Sequence, residues 1–286
     1  MSSPPSTTPV QVFGVKESQE ASTSTDKAAE DVTLIGYTTI PDVLTDTQLQ
    51  SIRGKLDTIY EQQVVEVDGE ENLHQINDAF TVRCLLAYDD EFLEVATHSA
   101  VLAIVERLLG DYFTLMLQNG ILNYPAKGTR QNAGAWHRDL NYQHFTSSRP
   151  LSISALFCID QFSQETGGTH VLPASHKTEK FPSPDYVRSH EAVVNAPAGS
   201  VLVFDSMLFH RGGLNTSPNV RRAINHMYTL PFVKPQISFP QVLKGKFSDD
   251  AFLRKFLGYE SEPGQSVPQW RQTKIAQARR REKAVA

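Results

Sequence analysis

The run of short segments rich in β-branched and aromatic residues between Tyr112 and Leu230 limits the folds open to this chain more than any other feature. Tyr112–Leu117, Ile121–Tyr124, Leu151–Phe162, His170–Leu172, Glu191–Asn195, Val201–Phe204 and Ala223–Leu230 follow one another, separated by turn formers at Gly120, Pro150, Gly167-Gly168 and Pro197-Ala198-Gly199. Such a pattern reads as strands of a sandwich or barrel. The upstream pattern is helical. Thr45 or Asp46 can cap a helix whose apolar stripe is Leu49, Ile52, Leu56, Ile59 and Tyr60. A second helix, Val101 to Leu109, stops at Gly110 and is too apolar to face water all round, so it packs on a sheet. Helices first and strands afterwards give an all-β core with flanking helices.

Composition narrows the function classes. A chain of 286 residues can bury one large core. No apolar stretch approaches the roughly 18–20 residues of a membrane span, and a net charge of −5 argues against a nucleic-acid partner. Cys84 and Cys158 each lie in an apolar segment and read as buried free thiols, which favours a reducing compartment and a cytoplasmic location. Residues 1–30 are rich in Ser, Thr, Pro and Glu and lack the features of a secretory signal, so they are expected to form a flexible tail. Folding is expected to begin near Leu34, with a single domain over 31–270. Residues 271–286 form a basic tail carrying Arg271, Lys274, Arg279, Arg280, Arg281 and Lys283, expected as a solvated helix. A homodimer is compatible with the sequence, which does not fix the oligomeric state.

Chemistry enters with His137-Arg138-Asp139, followed by His210 (210 − 137 = 73) and Arg221 (221 − 210 = 11). On an extended strand His137 and Asp139, two apart, point to one face. Two imidazoles and a carboxylate cover one face of an octahedral Fe(II) and leave the other for a chelating co-substrate and O2. His210 lies just past Val201–Asp205, a segment apolar on both faces and therefore central, which suits a ligand at the rim. Arg221 enters the core, where a guanidinium needs an anionic partner, and its planar fork matches a carboxylate. Arg222 alternates to the other face, toward a surface salt bridge. Trp136 and Arg138 likewise alternate away from the metal side, into outer packing. Tyr142 and Phe145, beyond the dyad, are placed to line a substrate entrance and favour an apolar or ring-bearing small molecule. The polar stretch Glu66–His74 and the segment after Pro231 are candidate lids. Two other readings stay open. One is a non-enzymatic jelly-roll protein holding zinc or nickel, although no fourth protein ligand is evident; the other is a cupin-type enzyme that uses no keto acid.

His137-x-Asp139, Gly167-Gly168-Thr169 … Leu172-Pro173-x-Ser175-His176, Ala198-Gly199-Ser200 before the strand ending Phe204-Asp205, and His210 … Asn215-x-Ser217 … Arg221 occur in order. That set resembles the phytanoyl-CoA dioxygenase family of Fe(II)/2-oxoglutarate-dependent oxygenases, over about Leu34 to Leu230. Thr166-Gly167-Gly168-Thr169 departs from the family's usual Asn-Gly turn, and Pro173-Ala174-Ser175-His176 from its usual Pro-Gly-Ser-His; both changes keep the turn. The resemblance implies a double-stranded β-helix (jelly-roll, cupin-like) core with His137, Asp139 and His210 as iron ligands and Arg221 on the distal carboxylate of 2-oxoglutarate. By the same carry-over Thr169 and Asn123 reach the co-substrate and Gln118 faces the substrate, while His170 and His176 are structural. Keeping the carboxylate at Asp139 implies oxidation rather than the chlorination of related halogenases. The implied activity is hydroxylation or desaturation of a small, largely apolar metabolite in a biosynthetic pathway, with release of succinate and CO2. Acyl-CoA hydroxylation is the alternative within the family; Arg130, Arg138 and Arg149 are too scattered to form a phosphate-binding patch.

Overall fold

The computed structural model describes residues 10–126, 134–140 and 142–285. Met1–Pro9 of the expected tail lie outside the described residues, as does most of Gly128 to Ala135, a polar, glycine-containing stretch that by its sequence suits the open mouth of a barrel. Helices come first: α1 (Ser24–Leu34), α2 (Asp46–Glu66), α3 (Glu70–Gln75), α4 (Glu91–Ala96) and α5 (Ser99–Leu109), with the short strands β1 (Tyr37–Ile40) and β2 (Thr81–Arg83) among them. Thr45 caps α2 through a reciprocal pair with Gln48, and the expected stripe Leu49, Ile52, Leu56, Ile59 and Tyr60 is buried. Gly110, at φ 87°, ends α5.

The strands β3 (Thr114–Asn123), β4 (Ser152–Cys158), β7 (Val201–Asp205) and β9 (Arg221–Thr229) join β1 and β2 in one sheet ordered β1-β7-β4-β9-β3-β2. A smaller sheet, β6-β5-β8, is built from β5 (His170–Val171), β6 (Ala192–Val193) and β8 (His210–Arg211). All pairings are antiparallel. Period-two alternation sends each strand of the large sheet to two cores. Ile153, Ala155, Phe157, Val201, Val203, Ile224 and Tyr228 pack under the helices. Leu156, Cys158, Leu202, Phe204 and Ala223 meet Phe162, Val171 and Val194 between the sheets. This two-sheet core with helices on one side is the jelly roll expected from the sequence.

The structure alters three expectations. Residues 24–34, placed partly in the tail, form α1, capped by the reciprocal Thr23–Asp26 pair; Val32, Ala28 and Ala29 are buried, so packing begins ahead of Leu34. Gly120 does not end a strand. It lies inside β3, where a Cβ would sit 2.6 Å from Leu56, so the missing side chain admits α2 against the sheet. Glu66–His74 is not an open loop but the end of α2 and most of α3, tied down by Tyr60 to Glu70 and by buried Leu73 in the helix-side core. Cys84 and Cys158 are buried free thiols, as expected. The basic C-terminal segment lies in the helix α9 (Val267–Val285), exposed at Arg271, Lys274 and Arg279, which follows α6 (Pro184–His190), α7 (Phe239–Leu243) and α8 (Ala251–Phe256).

Candidate metal and co-substrate site

His137 pairs with His210 of β8 as an isolated antiparallel bridge, closed by His137 N to His210 O at 2.9 Å and His210 N to His137 O at 3.0 Å. Two residues on, Asp139 N donates to Ser206 O at 2.9 Å. These bonds bring together side chains far apart in the chain. The His210 and His137 Nε2 atoms lie 3.3 and 3.7 Å from Asp139 Oδ1, and the ligand atoms of the three residues all fall within 4.8 Å of one another. His137 Nδ1–H donates to Ala135 O at 2.9 Å and His210 Nδ1–H to Leu208 O at 3.0 Å. Both rings are thereby fixed in the tautomer that turns an Nε2 lone pair into the shared space, as a metal requires.

Electrostatics agree with a cation site. Burial lowers the His137 imidazole, and the neighbouring His210 lowers it further. Burial pushes the Asp139 carboxyl up, but the two imidazoles and the Ser154 hydroxyl outweigh it and hold the group below the usual carboxylate range. Burial lowers the His210 imidazole, but the Asp139 carboxylate beside it outweighs burial and raises it, so a metal would take the place of a proton there; a neutral imidazole and an ionised carboxylate are the ligand forms.

Arg221 opens β9 and is 4 % exposed. One of its nitrogens donates to Gly167 O at 3.0 Å, and its guanidinium carbon stands 4.5 Å from the centre of the Phe162 ring. Nε is buried without a partner, and among the described residues no carboxylate lies within ion-pair distance. Burial pushes the guanidinium down to about 10. Arg222 alternates outward, as expected, and pairs with Asp57 at 2.7 Å and Asp160 at 3.1 Å. A buried cation with an orphaned donor is the feature an anionic co-substrate would complete.

Gly167, at φ 73°, brings its carbonyl to Arg221, and a Cβ there would meet Asn123 Nδ2 at 2.6 Å and Gly213 O at 2.7 Å. Gly213 packs back to back with it: its own Cβ would sit 2.5 Å from Gly168 O. Asn123 lies beside Arg221 in the β3–β9 register, its amide donating to Gly213 O at 3.1 Å. Thr169 is buried next to the glycines, and its backbone carries the β5–β6 ladder onward through Val194 N. It is two before Val171, so it shares that residue's face between the sheets.

Gln118 is not with them. Its Oε1 accepts from Leu86 N at 2.7 Å and its Nε2 donates to Phe92 O at 2.8 Å, on the helix side of the sheet, with His226 Nε2 at 2.9 Å. Gln118 and Asn123 are an odd number of positions apart on one strand, so they cannot share a face. The expectation that Gln118 faces the substrate is therefore corrected. Tyr142 is 64 % exposed and stacks on Phe145 at 5.9 Å; Phe145 leans on the cluster Met116, Leu140, Met207 and Met227. Trp136 and Arg138 turn away from the metal side, as expected, Arg138 lying 3.9 Å over the Phe209 ring. His170 bonds Glu191 and His176 the Thr33 carbonyl, both structural. After Pro231, Gln236, Ile237 and Phe239 line a small, partly open cleft against Arg83, Cys84 and the Met116–Asn119 stretch of β3, Gln118 included.

Sequence reasoning missed the residues that hold Asp139: Ser154 Oγ donates to its Oδ2 at 2.7 Å and Asn225 Nδ2 at 3.2 Å. A signal for Asn225 was present, since it follows Arg221 by an even number of positions on one strand and must share its face.

A jelly roll that gathers two imidazoles and a carboxylate beside a buried arginine with no carboxylate partner among the described residues defines an iron- and 2-oxoglutarate-dependent enzyme. Residues 34–223 match the family model described as phytanoyl-CoA dioxygenase (PhyH), and the chain belongs to that family. The uncharacterized protein Rv1501 of Mycobacterium tuberculosis is 34% identical over 229 residues, covering 78% of this chain and 82% of its own. The iron/alpha-ketoglutarate-dependent dioxygenase ausU of Aspergillus calidoustus is 32% identical over 145 residues, 48% of this chain and 46% of its own. Among solved structures, the non-heme alpha-ketoglutarate-dependent epimerase SnoN from nogalamycin biosynthesis superposes with TM-score 0.56 at 17% identity, over 76% of this chain and 86% of that one.

Proposed function

We propose that this protein is an Fe(II)/2-oxoglutarate-dependent dioxygenase that hydroxylates or desaturates a C–H bond of a small, largely apolar metabolite in a biosynthetic pathway, releasing succinate and CO2. The observation that carries the reading is the order of side chains on the inner face of β9. Arg221 comes first, then Ala223 beside Ile121 and Cys158, then Asn225 on the Asp139 carboxylate, then Met227 beside Leu117 and Ser154. Arg221 holds the far carboxylate of 2-oxoglutarate, with Thr169 and Asn123 at its side, and Ala223 with its neighbours forms the bed on which the carbon chain lies. His137, Asp139 and His210 hold the iron, which supplies the oxidising chemistry when bound. Met227, Met116, Met207 and Leu140 form the apolar wall beyond it, and Tyr142 and Phe145 stand at the entrance. Three adaptable thioethers suit an apolar ring system better than a charged group. The domain begins with α1, and two buried thiols fit a cytoplasmic location. Among the described residues no helix is long and apolar enough to cross a membrane.

SnoN is described from nogalamycin biosynthesis, and HygX of Streptomyces hygroscopicus with nickel, 2-oxoglutarate and hygromycin B; both support a tailoring role on a small molecule. The test is succinate release from iron-loaded protein with 2-oxoglutarate, O2 and a panel of free apolar metabolites and acyl-CoA thioesters. Substrate gaining one oxygen or losing two hydrogens supports the proposal. An unchanged mass with inverted configuration would identify an epimerase, and turnover confined to thioesters an acyl-CoA hydroxylase. His137→Ala and Asp139→Ala are expected to abolish succinate formation; normal release by both variants refutes the assignment.

A further inference from the structure

We infer that Ser154, backed by Ser206 and Ser152, is a positioning device for the metal-binding carboxylate, setting which oxygen of Asp139 is offered to the ion; the inference rests on the metal reading above. Ser154 Oγ donates to Asp139 Oδ2 at 2.7 Å. Ser206 Oγ stands 2.8 Å from Ser154 Oγ and donates to Ser152 Oγ at 2.8 Å, so the three hydroxyls lie in a row behind the carboxylate. All three serines are at most 1 % exposed. Ser206 also grips the same residue through the backbone, its carbonyl accepting from Asp139 N at 2.9 Å.

Burying a hydroxyl costs about 1–3 kcal/mol unless it is bonded. For the fold alone, alanine would serve at these sheet positions, since replacing both partners of a buried hydrogen bond by apolar groups is close to neutral. The alternating serines of β4, set among Ile153, Ala155 and Phe157, therefore point to the carboxylate as their reason. A carboxylate presents two acceptor oxygens. Ser154 and Asn225 Nδ2, at 3.2 Å, both fall on Oδ2. Oδ1, the atom nearest the two imidazole Nε2 atoms, is left free. Asp139 is thus built to bind through one oxygen only, which preserves positions on the metal for a bidentate keto acid and for O2.

The experiment is Co(II) titration of the metal-free protein by calorimetry, without 2-oxoglutarate or substrate, for the wild type and for Ser154→Ala, Ser206→Ala and Ser152→Ala. Outer partners of a ligand typically govern about 10–100-fold in metal affinity. Ser154→Ala is expected to weaken Co(II) binding at least about tenfold, Ser206→Ala by less, and Ser152→Ala by under about twofold. The visible Co(II) spectrum should shift for Ser154→Ala as the carboxylate becomes free to bind through both oxygens. Wild-type affinity and spectrum in Ser154→Ala would overturn the inference. Should that variant not fold, Asn225→Ala, which removes the other donor from Oδ2, carries the same expectation and the same refutation. A wild type that takes up no Co(II) would instead bring down the metal assignment itself.

Discussion

Replacing Arg221 by methionine, which keeps length and removes charge, should move apo stability and co-substrate affinity in opposite directions. Burial takes the guanidinium from its ordinary 12.5 to about 10. At ~1.4 kcal/mol per pH unit this is about 3 kcal/mol against the charged form. Against that stand one hydrogen bond to Gly167 O, about 1 kcal/mol, and the Phe162 ring, about 1–2 kcal/mol when desolvated. The balance is near zero or slightly in favour of methionine, so the apo Tm should hold or rise by up to about 3 °C. With 2-oxoglutarate the balance reverses. Removing one partner of a buried charge pair costs about 2–5 kcal/mol, a loss of roughly 30-fold to several-thousand-fold in affinity. Two assays suffice: apo melting followed by circular dichroism, and 2-oxoglutarate titration of the Co(II)-loaded protein by calorimetry. A variant that melts several degrees lower and still binds 2-oxoglutarate normally would show that Arg221 serves the fold, and the reasoning would be wrong.

Three further outcomes are expected. Gly167→Ala forces a side chain onto Asn123 and Gly213 at a left-handed φ of 73°. At about 1–3 kcal/mol of strain, 2-oxoglutarate affinity should fall roughly tenfold or more while Co(II) affinity holds, read by the same calorimetry. Burial lowers His226 to about 3 and His176 to about 4. Both take up protons more readily unfolded, so their contribution is full above about 6.5 and is lost as pH falls toward those values. His226 alone should cost at most about 3 kcal/mol at pH 4.5. His226→Gln should flatten the slope of Tm between pH 6.5 and 4.5, and an unchanged slope would deny the effect to His226. Deleting residues 1–22 should leave Tm unchanged. Deleting through Leu34 removes buried Val32, Ala28 and Ala29, about 3 kcal/mol, and should lower Tm by more than 5 °C.

Much of the architecture was legible because alternation and turn chemistry are local. The α2 stripe, the Gly110 stop and the four strands β3, β4, β7 and β9 of the main sheet follow from side-chain period and backbone preference alone, whereas the short strands β1 and β2 at its edges do not. Errors arose where a local signal had a nonlocal cause. Gly120 reads as a turn, yet it is a gap for Leu56 of a helix far upstream. The first 30 residues have the composition of a tail, yet Thr23 and Asp26 start a helix whose small buried face rests on the body. Gln118 was misplaced although the period-two rule, applied from Asn123, would have sent it to the other face.

The ligand types and the acidic or basic character of each candidate belong to the sequence, since they are covalent facts. That His137, Asp139 and Arg221 would each have same-face companions at even spacing was also written there, because a strand offers only two faces. Proximity belongs to the fold. The His137–His210 backbone bridge, the three serines standing behind Asp139 and the Phe162 ring beside Arg221 depend on strands paired across tens of residues. Register between distant strands is set by how two cores fill at once, and no local pattern encodes that sum.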